Sequence, residues 1–157
     1  VLPILVAGLF SSAVAAQELN LYSSRHYQTD EALYGGFTKA TGIKLNRIEA
    51  GEDPLIQRIR NEGASSPADV LVTVDAGRLW RAEQMGLFQP VESKVLAERL
   101  PAHMRAANNQ WFGFSARARV IVYNKAALSP SAVDTYEKLA DPSLKGKVCT
   151  RSGSHPY

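Results

Sequence analysis

Apolar positions along this chain fall alternately into extended and helical spacing. Residues 19–27, LNLYSSRHY, read as a strand that runs directly into a His-Tyr pair. Residues 30–41 place Leu33, Tyr34, Phe37 and Ala40 on one side of a helix that Gly42 stops. The Gly35-Gly36 pair inside that helix weakens it by about 1 kcal/mol per glycine relative to alanine. Residues 43–48 alternate as a second strand. Asp53-Pro54 then supplies a cap and a proline at the first helical position before Leu55, Ile56 and Ile59, with Gly63 as the stop. The run ADVLVTV at 68–74 is nearly continuous in apolar residues, the signature of a strand buried on both faces. Asp75 caps or loops. A helix over 78–85 turns Leu79 and Trp80 inward and halts at Gly86, and Ser93 opens a short helix to Leu100.

This βαβαβα order predicts a parallel sheet covered by helices, with right-handed crossovers. The pattern changes at Trp111. Residues 111–125, WFGFSARARVIVYNK, form a long β-type stretch suited to carrying the chain from one lobe to another. A short helix over 135–140, a stop at Asp141-Pro142 and a strand over 147–150 follow. The last segment is a loop, Arg151-Ser152-Gly153-Ser154-His155-Pro156-Tyr157.

Composition narrows the function classes. Residues 2–16, LPILVAGLFSSAVAA, form an apolar run closing on small residues, as in the core and cleavage site of a secretory signal. It begins with Val and lacks a basic start, so the opening of that signal is expected to be missing. The run is too short for a bilayer. Cys149 is the single cysteine, which rules out an intrachain disulfide and a thiolate zinc pattern, and an exported chain without disulfides suits a bacterial periplasm. The formal charge of +3 is spread among acidic residues without a basic run or aromatic platform, which argues against nucleic acid. No G-x-S-x-G, H-E-x-x-H or P-loop occurs, which argues against the common enzyme classes. A metal hydrolase using His26, Asp30 and Asp75 is a distant alternative.

The His26-Tyr27 pair is the chief chemical feature. Ligands of open α/β sheets sit beyond the carboxyl ends of strands. Neighbouring strand residues point to opposite faces, so His26 and Tyr27 can reach one ion only if the chain has already left strand geometry there. A His-Tyr pair alone equally suits an exposed loop. Tyr22, Tyr34, Tyr123 and Tyr136 are better read as packing residues with a hydrogen-bonded tip. Trp80 and Trp111 suit the core or a lobe edge, His103 a solvated loop, and Cys149 a small apolar strand position.

LNLYSSRHY, TGIKLNRIEA, SSPADVLVTVD, GLFQPV, WFGFSARARVIVYNK and TYEKLADPSLKGKV, in this order, resemble the periplasmic ferric-ion-binding proteins of ABC-type iron uptake systems. The SPADV and D-P-x-x-K-G-K-V runs are shared by many solute-binding proteins; RHY and FSARARVIVYNK are more particular to the iron branch. The resemblance implies a two-lobed α/β clamp hinged on crossing strands. This chain then holds the first lobe at 17–115, and a crossover with the start of the second lobe at 116–157, as a fragment of a longer protein. It implies ferric ion as transported ligand, an anion such as carbonate beside it, and an inner-membrane permease as partner. Ferric ligands fall on His26 and Tyr27, and on Tyr157 after the Arg151-Ser152-Gly153-Ser154 loop. His26 fits either a ligand or a hydrogen-bonding role behind one. Arg117 matches an arginine near the metal that balances phenolate charge or holds the anion, with Arg25 a neighbour. Val74 stands where another branch has a glutamate ligand, which favours the tyrosine-rich site. His155-Pro156 departs from the family's polar pair. The alternative is a binding protein for another small solute, an oxyanion or carboxylate, with Ser23, Ser24 and helix N-termini as donors.

Overall fold

The computed structural model describes residues 17–25 and 27–153. The signal-like segment at 2–16, His26 and the tail at 154–157 lie outside the described residues. The chain divides into two compact units after Leu87.

The first unit is built on a parallel sheet. Strand β1 (Glu18–Ser23) lies in the middle, between β2 (Lys44–Glu49) and β3 (Val70–Val72), and pairs parallel with both. Parallel neighbours require crossovers, and here these are helices. Helix α1 (Asp30–Thr41) links β1 to β2, and α2 (Glu52–Glu62) leads from β2 towards β3. Helix α3 (Ala76–Gln84) follows β3.

Tyr22 is the anchor of the core. It is 1% exposed and packs with Leu55 and Ile59 of α2, while Ile48, Ala68, Leu71 and Leu87 close around them. Its hydroxyl donates to both carboxylate oxygens of Glu62, at 3.0 and 3.1 Å. Arg58 Nε, at 2.7 Å, and the Ser66 hydroxyl, at 2.7 Å, also bind that carboxylate, so the polar tip is fully engaged beside an apolar body. Arg58 holds the Glu62 carboxyl below the usual carboxylate range, with help from Ser66 and against the opposing effect of burial. Burial raises the Tyr22 phenol above its ordinary value, and the Glu62 carboxylate adds to the rise.

Several local readings agree with the structure. Helix α1 ends at Gly42, which adopts a left-handed φ of 73° and donates to the Thr38 carbonyl at 2.8 Å. Asp75 caps α3 by accepting from Gly77 N–H at 2.7 Å. Others are corrected. Strand β1 stops at Ser23 rather than running to Tyr27. Gly51, not Asp53, is the cap of α2, and Pro54 occupies its third position. That position tolerates proline because the first-turn N–H groups have no acceptor within the helix. Strand β3 is half-exposed rather than buried on both faces, because among the described residues it is an edge strand. In α3 the fully buried residue is Ala82; Trp80 lies 58% exposed, two residues off that face. Leu33 of α1 is 69% exposed.

The second unit, from Phe88 on, contains α4 (Lys94–Arg99), capped by the Ser93 hydroxyl accepting from Leu96 N–H. Short 3-10 turns at Pro130–Ala132, Glu137–Ala140 and Pro142–Leu144 surround buried Val133 and Leu144. The expected strands over 111–125 and 147–150 are absent among the described residues. Only an isolated antiparallel bridge joins Arg105 and Phe112. A β-type composition makes a strand only where another strand accepts its backbone hydrogen bonds, and none is in place here. Phe114, Val120 and Val122 are accordingly exposed, and so is Cys149, which is no buried strand residue. No helix among the described residues is long and apolar enough to cross a membrane.

Candidate metal-ligand site at the exit of β1

The carboxyl end of β1 emerges between the corresponding ends of β2 and β3, the place where open parallel sheets receive ligands. Two buried serines shape that exit. The Ser23 hydroxyl accepts from Arg25 N–H at 3.0 Å and donates to the Arg25 carbonyl at 3.0 Å. The Ser24 N–H donates to the Val72 carbonyl at 2.9 Å, and its hydroxyl donates to the same oxygen at 3.3 Å. The Ser24 N–H thus makes the last bond to β3, and the Ser23–Arg25 bonds turn the chain out of strand geometry before residue 26, as a shared use of His26 and Tyr27 requires. The Ser23 hydroxyl donates within the turn and the Ser24 hydroxyl donates to β3, so each serine that would serve an anion in the alternative reading already has an acceptor.

Tyr27 follows on an exposed turn, with 45% of its surface accessible. Its carbonyl accepts from Asp30 N–H at 2.9 Å, which joins it to the first residue of α1. The Arg25 guanidinium lies 5.0 Å from the centre of the Tyr27 ring. It is itself held by Asp30, with Nε 2.9 Å from Oδ2 and Nη2 3.0 Å from Oδ1. This two-pronged pair keeps the Asp30 carboxyl below its usual range despite burial, and raises the Arg25 guanidinium above its ordinary value. In the sequence Asp30 reads as a helix start and as one member of the distant metal-hydrolase alternative, not as a partner of Arg25. Its partnership with Arg25 has a faint local signal, a basic and an acidic residue flanking a four-residue turn.

His26 and Tyr157 lie outside the described residues. Arg117 is exposed and belongs to the second unit, within the extended stretch after Trp111. Among the described residues no group of three or more His, Cys, Asp or Glu side chains could hold a metal. Among the described residues, Tyr27 sets a phenol on a hydrogen-bonded turn at the carboxyl end of the sheet. A phenolate is an anionic oxygen donor, suited to hard, highly charged cations.

The model for the bacterial extracellular solute-binding proteins matches residues 32–156. The chain belongs to this family. Within it, this solute-binding protein is 57% identical over 141 residues to Iron uptake protein A1 of Synechocystis, a match covering 90% of this chain and 39% of that relative. The structure of Trichodesmium IdiA (FutA), in complex with iron and citrate ligands, superposes with a TM-score of 0.81 at 57% identity, over 88% of this chain and 44% of that one. The ferric binding protein of Campylobacter jejuni superposes at 0.82 with 43% identity, again over 88% and 44%. The chain thus spans about two fifths of the length of the relatives it matches.

Proposed function

We propose that this solute-binding protein is the periplasmic carrier of an ABC-type iron uptake system. It captures ferric ion and hands it to an inner-membrane permease; it is not an enzyme. The observation that carries this reading is Tyr27, an exposed phenol on a rigidly tied turn at the carboxyl end of the central strand. The 57% identity to a protein named for iron uptake supports the choice of metal.

Fe(III) prefers anionic oxygen donors, and a phenol gives up its proton when it binds such an ion. Tyr27 is one ligand in this reading. His26 and Tyr157 supply others, and Arg117 balances phenolate charge or holds an accompanying anion such as carbonate. The two lobes, the first over 17–115 and the second beginning within 116–157, close on the ion from opposite sides, so that binding selects the closed form. Protons compete with iron for the phenolates, and affinity falls as pH falls.

The test is a ferric titration of the full-length mature protein followed by visible absorbance, beside Tyr27→Phe. A tyrosinate-to-iron band that weakens in the variant is expected. A full-length protein without any such band would turn the assignment to a different solute of the same family, an oxyanion or a carboxylate.

A further inference from the structure

The geometry points to Arg25, clamped by Asp30, as a positioning residue that aims the Tyr27 phenol at the metal. This inference rests on the reading of Tyr27 as a ferric ligand and extends it to the pair that holds the ring. Asp30 grips the turn twice. Its N–H binds the Tyr27 carbonyl at 2.9 Å, and its carboxylate takes both prongs of Arg25, at 2.9 and 3.0 Å. The Asp30 side chain is only 12% exposed, which protects the pair from competition by water. Arg25 is fixed from the other end as well, since the buried Ser23 hydroxyl binds its backbone N–H and carbonyl. With its backbone tied and one ring face covered by a flat guanidinium, Tyr27 can swing its oxygen over a restricted arc only.

The charge arrangement suits that task. An unpaired guanidinium 5.0 Å from the ring would repel a trivalent cation approaching the phenol. Paired with Asp30, Arg25 presents a stacking plane in a unit without net charge. Arg47 provides a contrast: it also stacks at 5.0 Å on a tyrosine, Tyr34, but beside two acidic residues on the flank formed by α1 and β2 rather than at the strand exit. A tie that merely fastened the start of α1 would not need a ring beneath it.

The experiment is a ferric-affinity cycle on the full-length protein, with Arg25→Gln, Tyr27→Phe and the double variant, read by visible absorbance and by competition with a chelator. Groups that orient a metal ligand typically contribute about 10–100-fold in affinity. Arg25→Gln is expected to weaken binding by about tenfold or more and to shift the tyrosinate band. In the Tyr27→Phe background the same substitution should cost little. An equal loss in both backgrounds, or an unchanged band and affinity in Arg25→Gln, would overturn the positioning role while leaving Tyr27 a ligand. A Tyr27→Phe protein with wild-type band and affinity would overturn the ligand reading and the inference together. Arg25→Lys keeps the charge and the tie to Asp30 but loses the flat stacking face. It should reproduce the band shift with near-normal thermal stability, and a wild-type band in it would equally count against the proposal.

Discussion

Replacing Ser23 by alanine isolates the part played by the strand exit. Ser23 is wholly buried, and its hydroxyl binds the N–H and the carbonyl of Arg25, both at 3.0 Å. Alanine fits the same space, so no cavity forms and the loss is polar. A neutral hydrogen bond contributes about 1 kcal/mol net, and a half-buried group left without its partner costs about 1–3 kcal/mol. The two bonds share one hydroxyl, and its removal also lifts the cost of burying it, so they do not add in full. The expected destabilisation is about 1–3 kcal/mol. For a domain of this size that lowers Tm by roughly 2–12 °C. Thermal and urea unfolding of the full-length protein, followed by circular dichroism, measures the loss, with exposed Ser143→Ala as a control expected to stay within about 0.5 kcal/mol. Ferric affinity should fall in parallel, because the turn carrying Tyr27 hangs from this hydroxyl. A Ser23→Ala protein with wild-type Tm and wild-type ferric affinity would refute the idea that the buried hydroxyl holds the exit.

Leu55→Ala, deleting a 1%-exposed side chain packed on Tyr22, should cost about 2–5 kcal/mol in urea unfolding. Burial and Glu62 raise the Tyr22 phenol, so above the unfolded-state pKa of about 10 the unfolded chain loses its proton first. Stability is then lost as pH rises through the folded value, and Tyr22→Phe should flatten that alkaline decline. The Glu62 carboxyl is depressed, chiefly by Arg58, so its contribution is present above about pH 4 and lost as pH falls through the lower folded value. Glu62→Gln should show a shallower acid limb when stability is measured between neutral and acid pH. Gly86 ends α3 at a φ of 68° with open space where a Cβ would sit, so Gly86→Ala should lose about 1–2 kcal/mol from backbone strain alone, visible as a lower urea midpoint with unchanged slope.

What the sequence determined by itself is whatever depends on partners a few residues away. The limits of α1, its stop at Gly42 and the Asp75 and Ser93 caps are all decided by local bonds and by glycine's freedom at positive φ. The parallel βαβ order was also legible, since helical and extended periods alternate. Tertiary structure decided what depends on distant partners. The run at 68–74 became a three-residue edge strand because β1 takes only one of its sides and no described strand takes the other. The buried face of α3 is marked by Ala82 rather than Trp80, since α3 packs against α2 and a small residue suits that close approach. Residues 111–125 lack a ladder because composition cannot provide the neighbour that a strand requires. At the candidate site the residues Arg25 and Tyr27 could be named from the chain alone. That Asp30 ties them into one unit left only a faint trace in the spacing of Arg25 and Asp30, because the pairing forms once the turn after Ser23 has folded back onto the start of α1.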